Sequence, residues 1–220
     1  MKAFIFLAIA LFTVSTAAQQ YCDPAQYASV RQCYSQYFNT YNLTIGANAT
    51  LPSYIAFAQS RGKDELGFNN LNMAKVCLIQ NTLSNCIGQN SACINPTDFP
   101  KIFSVNNTDN YEYVEDFFVG IYECQTAYNI TISNFYCLAS VGKNGFNSIA
   151  QCETQLNTDI ANQVPICTAE NTFVTCLSNV YQSYCGNDAG AYICNVENVA
   201  LTHVLPQCIP TLNNCPAYST

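Results

Sequence analysis

The chain has 220 residues, enough for one sizeable core or two small ones. Its formal net charge is −7, and charged residues make up only 10% of the chain, against about a quarter in an average soluble domain. Nucleic acids and anionic membrane surfaces bind basic faces, so this balance argues against both as partners.

Residues 1–18 have the composition of a secretory signal peptide. Lys2 gives a basic start, an apolar run covers 3–12, and small residues at 15–18 satisfy the cleavage rule. The run is too short to span a bilayer, which takes about 20 apolar residues. We therefore expect a mature chain that begins near Gln19 and is secreted, with no membrane span. A membrane anchor or a buried core helix is the less favoured alternative.

All the cysteines follow this signal. Their number, fourteen, is even, and in an exported chain that predicts seven disulfides and no free thiol. The candidates are Cys22, Cys33, Cys77, Cys86, Cys93, Cys124, Cys137, Cys152, Cys167, Cys176, Cys185, Cys194, Cys208 and Cys215. Metal binding is disfavoured because the chain has one histidine and no Cys-x2-Cys pair. Sequons make four asparagines candidate glycosylation sites, namely Asn42, Asn48, Asn106 and Asn129.

Apolar residues recur at helical spacing along the chain, and no alternating run is bounded by hairpin turns. This pattern predicts an all-α, disulfide-rich fold. Asp23-Pro24 provides an N-cap and a first-turn proline for the first helix. Further helices are predicted over residues 53–60, 70–87, 108–122, 133–141, 147–164, 168–185 and 188–205, with an irregular stretch at 90–107.

Helix ends are predicted from capping residues. Thr108 or Asp109, Thr168 and Asp188 are the expected N-caps of three later helices. Glycines at 62, 142 and 186 are expected to end helices, because glycine tolerates the backbone conformation found there. Acidic residues at 106–116 lack the spacing of a calcium loop and are interpreted as a solvated helix start.

An internal repeat links the two halves of the chain. Cys77–Cys86 and Cys167–Cys176 share the pattern Cys-x3-Asn-Thr-apolar-x2-Cys, and other echoes occur in the same order. We infer a tandem duplication, with a first cysteine-rich helical repeat at 19–107 and a second at 108–220. Coincidence in a chain poor in residue types is the alternative.

Helix geometry limits the pairing of Cys176 and Cys185. Residues nine apart on one helix lie on opposite faces and about 13 Å apart along the axis. A disulfide needs Cα atoms within roughly 7 Å of each other. If these cysteines share a helix, each must therefore bond to a different neighbour; the full connectivity stays open.

The stretch Cys176–Ala189 reads Cys-x8-Cys-Gly-x2-Ala. It resembles a pattern in nematode secreted cysteine-rich helical proteins, whose families are largely of unknown function. The first copy departs from this pattern, since Ile94 rather than glycine follows Cys93. The resemblance implies a helical, disulfide-stapled architecture, and no functional residue carries over.

No catalytic, cofactor-binding or metal-binding motif is found. His203 is the only histidine, and no Gly-x-Ser-x-Gly elbow is present. We predict a non-enzymatic protein without a cofactor, acting on an unknown extracellular partner by binding or as part of a matrix. The alternative is a carrier of a small apolar ligand in an interhelical cavity lined by residues such as Phe38, Phe117, Phe118 and Tyr181. An enzyme that uses His203 with a nearby acid is a weaker option.

Overall fold

The computed structural model describes residues 21–65 and 70–218, and these ranges are almost entirely helical. The α-helices are α1 Tyr27–Thr40, α2 Tyr54–Glu65, α3 Asn70–Ile87, α4 Phe99–Ile102, α5 Asn107–Ile121, α6 Tyr128–Ser133, α7 Phe135–Asn144, α8 Phe146–Ala161, α9 Ile166–Cys185 and α10 Asn187–Val204. Within the described ranges an isolated bridge joins Thr50 to Ser104 and no strand occurs. The predicted all-α fold is confirmed. The predicted signal at 1–18 lies outside the described residues.

Several predicted boundaries are confirmed. The Asp23 side chain accepts a hydrogen bond of 2.9 Å from the backbone N–H of Ala25, so it caps the first helical turn. Helix α3 covers the predicted 70–87, and Gly186 ends α9 with a φ of 84°. In the described part of the chain, no helix combines the length and the apolar character needed to cross a bilayer.

Other predicted boundaries are wrong. Gly62 and Gly142 lie inside α2 and α7, where an added Cβ would meet no atom within 4 Å. Helix α5 begins earlier than predicted, because Asn106 rather than Thr108 or Asp109 is its N-cap; its side chain accepts from the Asp109 N–H at 2.8 Å.

Two more predicted N-caps also lie inside their helices. Helix α9 begins directly after Pro165, so Thr168 falls within its first turn. Helix α10 begins after Gly186, which places Asp188 in its first turn. An acidic residue there faces the positive end of the helix dipole, which explains its presence without a capping role.

The fourteen cysteines form seven disulfides. The pairs are Cys22–Cys93, Cys33–Cys86, Cys77–Cys124, Cys137–Cys185, Cys152–Cys176, Cys167–Cys208 and Cys194–Cys215. Helix α9 carries three of these cysteines, and they bond to α8, to α7 and to the turn after α10. Cys176 and Cys185 therefore bond to different neighbours, as the helix geometry requires.

The disulfides divide the chain into two covalently closed segments. Three bonds lie within residues 22–124 and four within residues 137–215, and none of the seven crosses 125–136. The Cys77–Cys124 bond crosses the predicted repeat boundary at 107/108 and joins α3 to the π-helical turn Tyr122–Thr126. Bonding partners do not repeat between the two copies, so the tandem duplication stays a prediction.

The first segment is built around buried aromatic rings, which we call the aromatic core. Its rings are Tyr34, Tyr37, Phe38, Tyr41, Phe57, Phe99, Phe103, Tyr113 and Phe117. Phe57 is fully buried and has five aromatic neighbours, with ring centroids 5.5–5.8 Å away. These distances suit the tilted and edge-to-face contacts that aromatic rings prefer.

Helix α5 connects this core to the rest of the molecule. Tyr113, Val114 and Phe117 on one face are buried in the aromatic core. Glu112 and Glu115 on another face lie toward α8, α9 and α10. Residues three or four apart share a side of a helix, so Tyr113 and Phe117 lie on one face and Glu112 and Glu115 on another.

Glycines allow two close helix contacts. A Cβ added to Gly190 of α10 would lie 2.9 Å from the backbone oxygen of Ser178 on α9. The Ser178 hydroxyl also donates a hydrogen bond of 2.9 Å to the Gly190 carbonyl. A Cβ on Gly120 of α5 would lie 2.7 Å from the side chain of Gln80 on α3. Both helix pairs thus approach at distances that larger residues would disturb.

Candidate functional site

A cavity of about 560 Å³ lies between α5, α8, α9 and α10, and we call it the acidic cleft. Its apolar wall consists of Ile149, Leu156, Phe173, Leu177, Tyr181, Ile193, Ala200, Leu201, Val204 and Leu205. Five carboxylate side chains also line it: Glu112, Glu115, Glu153, Glu170 and Glu197. No lysine, arginine or histidine belongs to this described lining.

Each wall of the cleft is one helical stripe. On α9 the stripe is Glu170, Phe173, Leu177 and Tyr181, with steps of three or four residues. The α10 stripe has the same steps and carries Glu197 between Ile193 and the apolar residues at 200–204. This spacing puts each carboxylate on the same face as the apolar residues of its helix. Folding therefore brings the acids into the cleft together with the apolar wall.

Glu115 and Glu197 lie deepest in the cleft. Protein surrounds both on most sides, while part of each side chain remains open to the cavity. Neither carboxylate receives a hydrogen bond or an ion pair from residues 21–65 or 70–218. Buried acids normally have such partners, because desolvating a charge is costly.

The pKa values reflect this environment. Burial raises the pKa of Glu115 to about 8, and the negative charges of Glu197, Glu112, Asp116 and Glu170 add to the effect. Burial, with the charges of Glu170 and Glu123, raises the pKa of Glu197 to about 7. Both acids therefore hold a proton in part of the population near neutral pH.

These positions correct the interpretation of 106–116 as a solvated helix start. Its first three residues and Tyr111 are exposed, whereas Asp116 is buried and Glu115 lies within the cleft. Helix α5 is covered by α2 and α3 on one side and by α10 on another, and sequence periodicity alone does not report that double coverage.

A second cavity of about 380 Å³ adjoins the cleft and shares Glu115, Tyr181 and Ile193 with it. Apart from Glu115, its acids have partners. Asp116 forms an ion pair with Arg61 and accepts a hydrogen bond of 3.2 Å from the Tyr54 hydroxyl.

Glu123 is the third acid of the second cavity. It accepts a hydrogen bond of 2.8 Å from the Tyr192 hydroxyl, which in turn accepts one of 3.1 Å from Thr131. Asp116 and Glu123 are thus both partnered, and Glu115, which lines both cavities, is the acid of the second cavity without a partner among the described residues.

An apolar groove of about 480 Å³ lies between α1 and α3 and shares no lining residue with the cleft. Leu78, Ile79 and Leu83 of α3 contribute to it, and Leu78 is 62% exposed. An exposed leucine beside a concave apolar surface is a second place where a ligand could bind.

His203 does not form a catalytic arrangement with the described residues. Its ring stacks on Phe118 with a centroid distance of 3.3 Å and an interplanar angle of 2°. Burial lowers the pKa of His203 to about 4, so the imidazole is neutral at neutral pH. Within the described ranges no carboxylate or hydroxyl forms a hydrogen bond with it. His203 therefore acts as a packing residue between α5 and α10.

The four residues predicted to line a ligand cavity do not lie together around one cavity. Tyr181 lines both the acidic cleft and the second cavity. Phe38 and Phe117 are buried in the aromatic core, and Phe118 lies against His203. Sequence reasoning missed the five glutamates, although the single acid within each apolar stripe of α8, α9 and α10 was a signal that could have identified three of them.

The remaining predicted site residues are also placed. The sequon asparagines Asn42, Asn48, Asn106 and Asn129 are all exposed, as glycosylation requires, and their modification stays a prediction. Among the residues described, no group of three or more His, Cys, Asp and Glu side chains is arranged to hold a metal ion.

Comparison with known proteins finds no match: no family model, no curated protein and no solved structure is similar to this chain. The class established here is that of all-α, disulfide-rich proteins. The resemblance of Cys176–Ala189 to nematode secreted proteins stays a prediction.

Proposed function

We propose that this chain is a secreted, non-enzymatic extracellular binding protein and that the acidic cleft is its ligand site. The observation that carries the proposal is a cavity of about 560 Å³ with apolar walls and with carboxylates that have no partner within 21–65 and 70–218. Small-molecule sites commonly have volumes of about 300–1,000 Å³, apolar walls and a few polar groups.

Secretion is supported by the composition of residues 1–18 and by the disulfides. Seven disulfides form and persist in an oxidising compartment, whereas cytosolic thiols are kept reduced. The exposed sequon asparagines fit passage through the same compartment. Expression with the natural N-terminus in a eukaryotic host, followed by analysis of the medium, tests this part of the proposal.

The second candidate function is that of a carrier for a small apolar ligand. The observation that favours it is the apolar groove between α1 and α3, with the exposed side chain of Leu78. This groove contains a single charged residue, Lys75, so its ligand would be held mainly by burial of apolar surface.

A neutral fluorescent probe separates the two sites. N-phenyl-1-naphthylamine is titrated into the secreted protein, into a Leu156→Trp variant that narrows the cleft, and into a Leu78→Trp variant that narrows the groove. We expect the cleft variant to weaken probe binding about tenfold or more, because a bulky ring takes up part of the cavity. The groove variant is the matched control and should bind as the parent does.

The opposite result, with binding lost only in Leu78→Trp, would favour the apolar carrier. Absence of saturable binding to the parent protein would contradict both functions. Native mass spectrometry of the secreted protein gives an independent check, since a ligand retained during purification adds a defined mass.

A further inference from the structure

We propose that the acidic cleft binds a small organic cation with an apolar body, and that its ammonium group lies between Glu115 and Glu197. The inference rests on the proposed function and narrows its ligand class. Such a ligand would place its charge against the carboxylates and its hydrocarbon part against the apolar wall.

The first argument is that the carboxylates of Glu115 and Glu197 have no positively charged partner among the described residues. Glu197 is surrounded by protein on almost all sides, receives no hydrogen bond from the described residues, and is open toward the cleft. Glu115 faces the same space from α5. An ionised carboxylate in such a position is stabilised by a positive partner. The described residues supply none here, so the cleft is complementary to a ligand that brings one.

The second argument concerns the protein's own cations. The chain has only seven lysines and arginines, and none of those within the described residues lines the cleft. Arg61 pairs with Asp116 and Lys101 pairs with Asp98, so these two are engaged elsewhere. A net charge of −7 also attracts cations from solution toward the site.

The third argument favours an organic cation over a metal ion. The described residues hold no group of three or more His, Cys, Asp and Glu side chains arranged for a metal. In addition, Phe173 and Tyr181 place aromatic rings in the cleft wall. Aromatic faces attract ammonium groups, and apolar walls stabilise a hydrocarbon body.

Binding should be coupled to pH. An ammonium group between Glu115 and Glu197 favours their ionised forms and lowers both pKa values. Affinity should therefore rise as pH increases through about 7 and about 8, the pKa values without ligand. The other ionisable groups that line the cleft or the adjoining cavity are Tyr54 and Arg61 on α2, Glu112 and Asp116 on α5, Glu123 in the π-helical turn, Glu153 on α8, Glu170 and Tyr181 on α9 and Tyr192 on α10.

Three indole compounds form a matched test set. Tryptamine is a cation, tryptophol is neutral and indole-3-acetate is an anion, while the ring is the same. The chain contains no tryptophan, so the fluorescence anisotropy of the indole reports the ligand alone. We expect tryptamine to bind roughly ten- to a hundredfold more tightly than tryptophol at about pH 8, as a charge-assisted contact implies. Indole-3-acetate should bind most weakly.

Two variants localise the effect. Glu115→Gln with Glu197→Gln keeps the shape of the cleft and removes the two charges; it should abolish the preference for tryptamine and leave tryptophol binding unchanged. Asp23→Asn is the control, because it removes one carboxylate charge at an exposed residue outside the cleft, where asparagine can also cap the helix. It should reduce tryptamine affinity less than about threefold. Circular dichroism confirms that each variant is folded.

The outcomes separate this inference from the proposed function. Equal binding of tryptamine and tryptophol, or a preference that persists in the double variant, overturns the cation inference and leaves the cleft as a ligand site. The same holds if N-phenyl-1-naphthylamine binds in the cleft while tryptamine does not. Failure of the neutral probe and of all three indoles to bind overturns both.

Discussion

The two faces of helix α5 pack against two different kinds of interior. One face packs Tyr113 and Phe117 into the aromatic core, where rings fill the interior. The other face puts Glu112 and Glu115 beside a cavity of about 560 Å³. Both regions are helical and both are stapled by disulfides. The difference is that side chains fill the first interior, while the second encloses space and charge.

Two adjacent residues show the contrast most directly. Asp116 is buried and is neutralised by Arg61, with the Tyr54 hydroxyl as a second partner. Glu115 is the preceding residue and has no such partner among the described residues. Polar groups inside proteins are usually satisfied, and an exception needs an explanation. Position beside a ligand cavity is the explanation that we infer for Glu115.

The largest expected effect is a difference in unfolding free energy between two variants that each replace a phenylalanine with alanine. Phe57→Ala removes a fully buried ring with five aromatic neighbours and should lower the free energy of unfolding by about 3–5 kcal/mol. Phe173→Ala removes a half-buried ring from the cleft wall and should cost about 1 kcal/mol. Denaturant unfolding with intact disulfides measures both. Equal costs would contradict the view that only the first interior is filled.

The next effect is a pH dependence that comes from the cleft. The pKa values of Glu115 and Glu197 are higher in the folded state than the ordinary value of 4.5. Their contribution to stability is therefore fully present below about pH 4.5 and is lost as pH rises through about 7 and about 8. Glu115→Gln with Glu197→Gln should increase the free energy of unfolding by roughly 2–4 kcal/mol at about pH 8.5, and much less at about pH 4.

Thermal unfolding across this pH range measures the effect. Glu153→Gln, at an exposed position, should leave the pH profile nearly unchanged. His203 acts in the opposite direction in acid: its folded pKa of about 4 means that its contribution to stability is lost as pH falls from about 6.5 through about 4. A double variant with the parental profile above pH 6 would show that the two glutamates are not buried in solution.

The smallest expected effect is the loss of stability when alanine replaces a glycine at a close helix contact. Gly190→Ala should cost about 2–3 kcal/mol, because the new methyl group meets the backbone oxygen of Ser178, which cannot move alone. Gly120→Ala should cost about 1–2 kcal/mol, because the methyl group meets the side chain of Gln80, whose hydrogen bonds to Tyr37 and Phe117 would be disturbed.

Gly142→Ala is the control for both glycine variants. Its Cβ would enter open space inside a helix, so the substitution should stabilise the protein by about 0.5–1 kcal/mol. Unfolding midpoints measured under identical conditions give the order of the three variants. A cost at Gly142 equal to that at Gly190 would show that the loss arises from helix backbone preference rather than from the close contact.

Local signals in the sequence predicted the helices well and their ends less well. The apolar spacing of 70–87 predicts α3 with its observed bounds, because an amphipathic helix carries its periodicity in the chain itself. Gly62 and Gly142 misled the prediction, since a glycine can also sit inside a helix that tertiary packing stabilises. Asn106 was not recognised as a cap because Thr108 and Asp109 compete as equally good capping residues.

The sequence constrained part of the disulfide pairing, but it could not predict the acidic cleft. Helix geometry alone required Cys176 and Cys185 to bond to different neighbours, and they do. The acidic cleft needs Glu115, Glu153, Glu170 and Glu197 to converge from four helices. That convergence depends on helix orientations set by packing, which spacing along one chain does not determine.

The disulfide division has a consequence for proteolysis. A single cleavage anywhere within 22–124 or 137–215 would leave the two products linked by at least one bond. A cleavage within 125–136 would instead give two chains that separate under denaturing, non-reducing conditions. Helix α6 lies in that segment and carries the exposed Asn129, so an oligosaccharide there would shield the one interval between the two closed segments from proteases.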